Sequence, residues 1–509
     1  MSGFADPILA VLLPVILVAT GGLVCLASEP FLQPERKHRV LPWIGSIFLL
    51  LAAVAAWFGR PEELISIGGL YGNDPIRALL QLAVIAAALA GMAGLQQSLG
   101  RDRFAGGEPY ALTLLSATGA MLMVSASQYM GLFIGLELAS IAIYALVGTR
   151  RHRAESGEGL LKYLVMGAVF SAIFLYGVAL SYGATGSLAY GADALEGRDR
   201  LLVLGQTCLV IGLLFKVGAV PFHFWSPDAY TGAPIAVTGF MAAAMKVGGF
   251  TALAGIWIGL LQADGGVVAL HRPVALEQGS VHLTDSLQKV LFGVAVLSLL
   301  VGNFSALGQS HLRRLMAFSS VAHAGYLLLA FSLPAGVAPG ATLSLHGLWY
   351  YLIAYAIAGS AALALLAAFA DHDDEDRLDD LAGRARRDPL VGIAITVLVA
   401  SLAGLPPTAG FIGKYLILGD LVAKGMIAIA ILAMLLAVVG AVYYLRFLVE
   451  LWAGEREGET PRVVGGLTYA VGAAATVLTV ALVAWPLLGQ EAADDGPSVA
   501  QQQQATTAR

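Results

Sequence analysis

The chain has 509 residues, 58% of them hydrophobic and only 12% charged, against roughly 25% charged in ordinary soluble domains, and its mean hydropathy is +0.78. That excludes a soluble globular protein and predicts an all-α polytopic membrane protein, while a net charge of −5 is too mild to argue for nucleic acid. Cys25 and Cys208 lie in apolar stretches with no CxxC or Cys/His cluster, which speaks against disulfides, iron–sulfur clusters and structural zinc.

Apolar runs bounded by charged or Gly/Pro loops fall at 7–27, 40–58, 76–97, 110–128, 130–149, 160–183 and 201–222 in the first half. They continue at 233–262, 288–308, 313–333, 343–370, 390–419, 425–452 and 464–488, so the sequence predicts about fourteen transmembrane helices. Asp6 and the lack of a basic segment before the first run read as a retained helix rather than a cleaved signal. The basic clusters all follow odd-numbered helices: Arg36-Lys37-His38-Arg39, Arg101 and Arg103, Arg150-Arg151-His152-Arg153, Arg313-Arg314, Arg377 with Arg384, Arg386 and Arg387, and Arg456 with Arg462. By the positive-inside rule those loops are cytoplasmic and both termini lie outside. The acidic run Asp371–Asp376 reads as a solvated loop face, and the tail from 491 to 509 as a polar, disordered end.

Two of the helices carry breaks. The seventh holds Lys216 ahead of Pro221, and the twelfth holds Gly404-Leu-Pro-Pro-Thr-Ala-Gly410 ahead of Lys414. They are five helices apart, so helices 4–8 (residues 110–262) and 9–13 (263–455) are expected to be two five-helix repeats of inverted topology. Helices 1–3 (1–109) precede them, and helix 14 (456–490) follows. Paired broken helices are a sequence pointer to a transport site.

The stretch from Leu213 to Phe250 carries the chemistry. Lys216 and Lys246 each fall roughly at mid-helix, where a lysine costs at least ~2.5 kcal/mol to insert and needs a partner, water or a neutral state. Burial disfavours its charged form, which lets the side chain take up and release a proton. Pro221 frees backbone carbonyls that must be satisfied by protein or trapped water. His223 follows, and can relay protons near neutral pH. Together they read as a hydrated, proton-conducting site.

Glu137 is an acid inside the fifth helix, expected to ionise beside a lysine and hold its proton; its bland reading is a polar group that ties helices together. Lys414 is the natural exit-side member, against the plainer reading of a lysine snorkelling to the interface. His323 stands in helix 10, at the expected counterpart of Glu137. Lys162 lies in the first turn of helix 6, where it acts either in the relay or as an interfacial anchor. Asp228 and Tyr230 follow a break and are expected to shape a turn. The Gly-rich pieces match no Rossmann or P-loop fingerprint, so no nucleotide site is expected.

Phe215-Lys216, Pro221-Phe-His-Phe-Trp225, Pro227-Asp-Ala-Tyr-Thr-Gly-Ala-Pro234 and Lys246-Val247 resemble the proton-translocating, antiporter-like membrane subunits of bacterial respiratory complex I, the NADH–quinone oxidoreductase. Asn303-Phe-Ser-Ala-Leu, Arg314 to Tyr326, and Gly404 to Lys414 match as well, so the resemblance spans essentially the whole chain. The Pro-Asp-x-Tyr-x-Gly-Ala-Pro turn favours one branch among the paralogues, and no long amphipathic helix follows helix 14 as in the arm-bearing one. The resemblance implies a fourteen-helix fold of two inverted repeats. It makes Glu137 the helix-5 glutamate, Lys216 the helix-7 lysine, Lys246 the connecting helix-8 lysine, Lys414 the exit lysine and His223 the histidine after the break.

It also implies a subunit of a translocase in the bacterial inner membrane, both termini periplasmic, with the other membrane subunits and the lipid bilayer as partners. NADH, FMN, iron–sulfur clusters and quinone are expected elsewhere in the complex and no cofactor in this chain. Two alternatives stand beside it: a subunit of a Mrp-type cation/proton antiporter or membrane-bound hydrogenase complex, and a non-conducting structural membrane subunit.

Overall fold

A computed structural model of the chain describes residues 7–101, 106–262, 267–272, 274–275, 281–332, 342–369, 377–453 and 465–484. The acidic run 371–376, Arg103, Arg456, Arg462 and the polar tail lie outside the described residues. The helices in the first half are α1 (Pro7–Ser28), α2 (Pro34–Phe58), α3 (Pro75–Arg101), α4 (Glu108–Ser125), α5 (Tyr129–Val147), α6 (Ala154–Thr185), α7 (Asp199–Val217), α8 (Ser226–Gly232) and α9 (Ile235–Gln262). The second half adds α10 (Val281–Leu307), α11 (Leu312–Leu329), α12 (His346–Phe369), α13 (Pro389–Ala403), α14 (Ala409–Ala423), α15 (Ile427–Trp452) and α16 (Gly466–Ala481).

Every predicted apolar run overlaps one of these helices, or in one case two. Among the described residues, eleven helices are long and apolar enough to cross a membrane, so the chain is a multi-pass membrane protein. The other predicted runs are shorter or more polar: α4 and α11 have 18 residues each, and α11 opens on Arg313-Arg314. The predicted twelfth helix is split into α13 and α14, of 15 residues each. Two strand pairs escaped the sequence reading: Ile65–Ile67 with Tyr71–Asn73, and Val274–Ala275 with Thr342–Leu343.

The breaks fall where the sequence placed them, with sharper limits. The predicted seventh helix runs only to Val217, because Gly218 turns left-handed (φ 71°) and receives the chain's reversal that a Cβ would oppose. What the sequence reads as a turn around Asp228 and Tyr230 is instead α8, a two-turn helix. Likewise Gly404 (φ 80°) ends α13, and Thr408 then opens α14 by accepting from the Phe411 amide. The peptide bonds before Pro221 and Pro407 are cis.

The freed backbone groups at the first break find partners, as membrane depth requires. Trp225 Nε1 donates to Phe215 O at 3.1 Å, and Val220 N donates to Ser298 Oγ of α10 at 2.9 Å. The end of α8 is clamped by guanidinium groups: Arg150 donates to the carbonyls of Thr231, Gly232 and Ala233, and Arg313 donates to the same Ala233 carbonyl at 2.8 Å.

Helix α9 sits at the centre, buried along its whole apolar length, with α12 (89%) and α3 (78%) beside it. By contrast α6, α15 and α16 bury a third or less and form the outer faces. A polar side chain on α9 therefore has no route to the headgroups and must be satisfied inside the protein.

Candidate functional site

Lys216, Lys246 and Lys414 are 2%, 4% and 7% exposed, so none of them snorkels. The interface-anchor reading of Lys414 is thereby excluded. Each sits near an aromatic ring: Lys216 over Tyr144 (5.5 Å), Lys246 over Tyr355 (5.8 Å) and Lys414 over Tyr326 (5.1 Å). Ring faces are attractive to a cation that has left water.

Lys216 lies in the last turn of α7. Its Nζ donates to Ser140 Oγ at 2.9 Å and to Tyr144 Oη at 3.0 Å, both on α5. Glu137 is one turn before Ser140 on that face, which follows from the i, i+3 spacing. The sequence reading pairs Glu137 directly with Lys216; here no ion pair joins them, and the two hydroxyls stand in the acid's place. Glu137 is partly buried, and its Oε1 is enclosed without a hydrogen-bond partner. A wall of rings closes the space around Lys216: Tyr163 stacks on Trp225 at 4.0 Å, and Phe170 on Phe215 at 4.3 Å.

A narrow cavity, with room for about one water molecule, connects Lys216 to Lys246; Tyr163, Trp225, Tyr230 and Ser320 help to line it. Lys246, at the middle of α9, donates to Val217 O at 3.0 Å, the carbonyl at the break of α7, and to Ser320 Oγ of α11 at 2.7 Å. Tyr230 Oη and Tyr355 Oη also reach Ser320 Oγ, at 3.1 and 3.2 Å. Tyr230 therefore belongs to the polar chain and not merely to a turn.

One helical turn beyond Ser320, His323 is enclosed by tyrosines. Its Nδ1 contacts Tyr351 Oη at 2.6 Å and its Nε2 contacts Tyr444 Oη at 3.2 Å, while Tyr444 bonds Ser319. Tyr355, bonded to Ser320, lies beside the imidazole at 4.8 Å between ring centroids. The tyrosine cage continues to Tyr326, 6.5 Å from Tyr351, and Lys414 stands over its ring. Lys414 donates to Ala403 O at 2.8 Å and Leu402 O at 3.3 Å, the carbonyls that the second break frees. Two breaks thus present carbonyls to two lysines, Val217 to Lys246 and Ala403 to Lys414.

The remaining predicted residues lie apart from this line. His223 lies within the break between α7 and α8, half-buried, its Nδ1 without a hydrogen-bond partner and its ring tilted against Phe318 of α11 at 6.4 Å. Lys162 is bound in an exposed charge cluster, 2.6 Å from Asp228 and 2.5 Å from Glu158, with Arg314 3.7 Å from Asp228. The sequence reading gave Tyr230 only a turn-shaping role and missed Ser140, Tyr144, Ser320, Tyr351, Tyr355 and Tyr444. Their only signal is a hydroxyl in an apolar helix, which packing alone explains equally well. Among the described residues no His, Cys, Asp or Glu cluster is arranged to hold a metal ion.

A family described as NADH:quinone oxidoreductase/Mrp antiporter, transmembrane, matches residues 126–440, more than half of the chain. NADH-quinone oxidoreductase subunit N 1 of Rhizobium meliloti is 33% identical over 486 residues, covering 93% of this chain and 95% of the relative. Among solved structures, a chain of respiratory complex I from Thermus thermophilus superposes with a TM-score of 0.74 at 33% identity, over 93% of this chain and 98% of that one. A chain of the Mrp complex from Dietzia sp. shares the fold, with a TM-score of 0.76 at 21% identity over 93% and 94% of the two chains. The extent of these matches means that the chain belongs to the NADH-quinone oxidoreductase subunit N family.

Proposed function

We propose that this chain is the proton-translocating membrane subunit of an NADH–quinone oxidoreductase, and that its protons move along Glu137, Lys216, Lys246, His323 and Lys414. The observation that carries this reading is Lys246: a lysine at mid-length of a wholly buried helix, bonded to the carbonyl of one broken helix and facing Lys216 across a water-sized gap. A structural role would be served more cheaply by an apolar side chain, since a buried ammonium needs good partners merely to offset its desolvation.

The relay works through changing partners. With Glu137 ionised near Lys216, the ammonium is favoured; withdrawing that charge, or hydrating the site, releases the proton toward Lys246. A tenfold change in proton affinity is about 1.4 kcal/mol, and moving one charge against 100 mV needs about 2.3 kcal/mol, so modest changes in pairing suffice. From Lys246 the proton passes by Ser320, the tyrosine cage and His323 to Lys414 and the outer side. NADH, flavin, iron–sulfur clusters and quinone are bound elsewhere in the assembly, whose other membrane subunits and lipids surround this chain. The chain is placed in the bacterial inner membrane, with fourteen spans and both termini outside. His223 and Lys162 feed the inner end of the path, Lys162 through its exchange between Glu158 and Asp228.

Two inverted five-helix repeats, helices 4–8 and 9–13, are supported by matched spacing. Gly218 and Gly404 each stand three residues before a proline, and each is left-handed. Gly119 of α4 packs on the Ala139 amide of α5 so closely that a Cβ would stand 2.3 Å away, and Gly302 of α10 packs on the Ala322 amide of α11 at 2.5 Å. Pairing Ala139 with Ala322 puts Ser320 opposite Glu137 and His323 opposite Ser140, one turn from the register expected for His323.

Proton pumping and NADH–quinone turnover in vesicles carrying the assembled complex with Lys246→Ala test the reading. The expected outcome is loss of both with assembly intact. Normal pumping at a normal ratio would make Lys246 structural and end the relay.

A further inference from the structure

Hydrogen-bond chemistry distinguishes the three lysines. A charged lysine only donates, whereas the neutral amine also presents a lone pair that wants a donor. Lys414 is bonded to two carbonyls, which can only accept. Lys216 is bonded to two hydroxyls: Ser140, which gives its own hydrogen to Leu136 O, and Tyr144, which can accept or donate. Lys246 has one of each among the described residues: the Val217 carbonyl and the Ser320 hydroxyl.

Ser320 is thus the single described partner that can turn a proton toward Lys246 when the amine is neutral. It is 3% exposed, and its Oγ gathers three neighbours within 3.2 Å: Lys246 Nζ, Tyr230 Oη and Tyr355 Oη. A serine hydroxyl offers one hydrogen and two lone pairs, so three neighbours saturate it. With Lys246 charged, Ser320 accepts from the ammonium and from Tyr355 and gives its hydrogen to Tyr230. With Lys246 neutral, the hydroxyl turns its hydrogen to Nζ, and Tyr230 reverses to become a donor. No covalent bond is made or broken in this step; the serine rotor turns and the Tyr230 hydroxyl follows, while Tyr355 donates to Ser320 in both states.

We propose that Ser320 is a positioning residue for Lys246, a hydroxyl rotor that keeps the lysine hydrogen-bonded in both protonation states and so lets it release its proton inside a dry helix core. This rests on the relay reading of Lys246 given above. The titratable groups that face the rotor are Lys246 on α9, Tyr230 on α8, Tyr355 on α12, His323 on its own helix α11 and, across the cavity, Lys216 on α7 and Tyr163 on α6.

The test uses the assembled complex in vesicles with Ser320→Ala, Ser320→Val and Ser320→Thr, alongside Lys246→Ala. Thr keeps the hydroxyl and Val has the same shape without it. Turnover and pumping are expected to fall about tenfold or more in Ala and Val, the scale of a hydrogen bond to a charged group, and to recover to within about twofold in Thr. Equal activity of Val and Thr overturns the proposal, as does a normal Ser320→Ala, and loss in Thr as severe as in Val assigns the position to packing. Should the Ala variant fail to assemble, Tyr355→Phe removes one partner of the rotor at constant shape; a few-fold loss of turnover is expected, and an unchanged rate overturns the proposal. Lys246→Ala separates the two readings: if it pumps normally the relay itself falls, and if it fails while Ser320→Ala and Ser320→Val are normal only the rotor falls.

Discussion

At Lys414 the side chain leans on a glycine. A Cβ on Gly404 would lie 2.9 Å from both Nζ and Cδ of the lysine, and the backbone there has φ 80°. Gly404→Ala combines a left-handed backbone cost of about 1–2 kcal/mol with displacement of the ammonium from the Ala403 carbonyl. The expected outcome is a modest fall in assembled complex on an immunoblot and a disproportionate fall in pumping per assembled complex; an unchanged ratio would mean that the carbonyl contact is dispensable. At Lys216, Tyr144→Phe removes one of two acceptors while leaving the ring that the ammonium sits over. About tenfold slower coupled turnover is expected in the vesicle assay, from the ~1.5–3 kcal/mol scale of a bond to a charged group. The lysines themselves were legible in the sequence because a charge in an apolar run has few bland explanations. Ser140, Tyr144 and Ser320 were not, since a hydroxyl in a membrane helix commonly bonds its own backbone, as Ser140 does to Leu136 O. What gives these residues meaning is a partner more than seventy positions away.

The broken helices show which part of an element's limit is local. Gly218 and Pro221 signal a stop within the chain itself, and the break was readable from them. That α7 stops at Val217 rather than at Phe222, and that the chain re-forms a helix at Ser226, depends on Trp225 folding back from the far end of the break to the Phe215 carbonyl and on Ser298 of α10 accepting from the Val220 amide. The clamp on α8 is equally tertiary: Arg150 reads in sequence as one more basic loop residue, yet its guanidinium holds three carbonyls at the helix end. Arg150→Ala is expected to destabilise the assembly by about 2–3 kcal/mol, as loss of charge-assisted bonds to buried acceptors does. Thermal dissociation of the purified complex checks this, with Arg151→Ala, whose side chain is 73% exposed, expected to leave the midpoint in place. Equal midpoints for the two variants would remove the clamp from the account.

For the molecule as a whole, the parity of basic loops predicts an orientation that labelling can test. Single cysteines replacing His152 and Glu196, both exposed, are expected to react with a membrane-impermeant maleimide from opposite sides, His152→Cys from the cytoplasm and Glu196→Cys from outside. Labelling of both from one side would break the odd–even pattern and the span count with it. The five-helix offset proposed for the two repeats rests on a signal readable in the sequence, since both breaks carry a glycine and a proline at the same interval. The register proposed within them was not readable there, because it rests on the contacts of Gly119 and Gly302, which look like any other glycines in the sequence.

Helix α9 is the most enclosed of the eleven apolar helices and also the least apolar. A segment that ends surrounded by protein is under no pressure to dissolve in lipid, and one that carries a lysine at its middle partitions there poorly. During biogenesis α9 must therefore emerge from the insertion machinery into the company of α3, already in place. It then waits for α12, translated some eighty residues later, to close over it. The lysine proposed to carry protons in the finished molecule also makes the order of insertion matter.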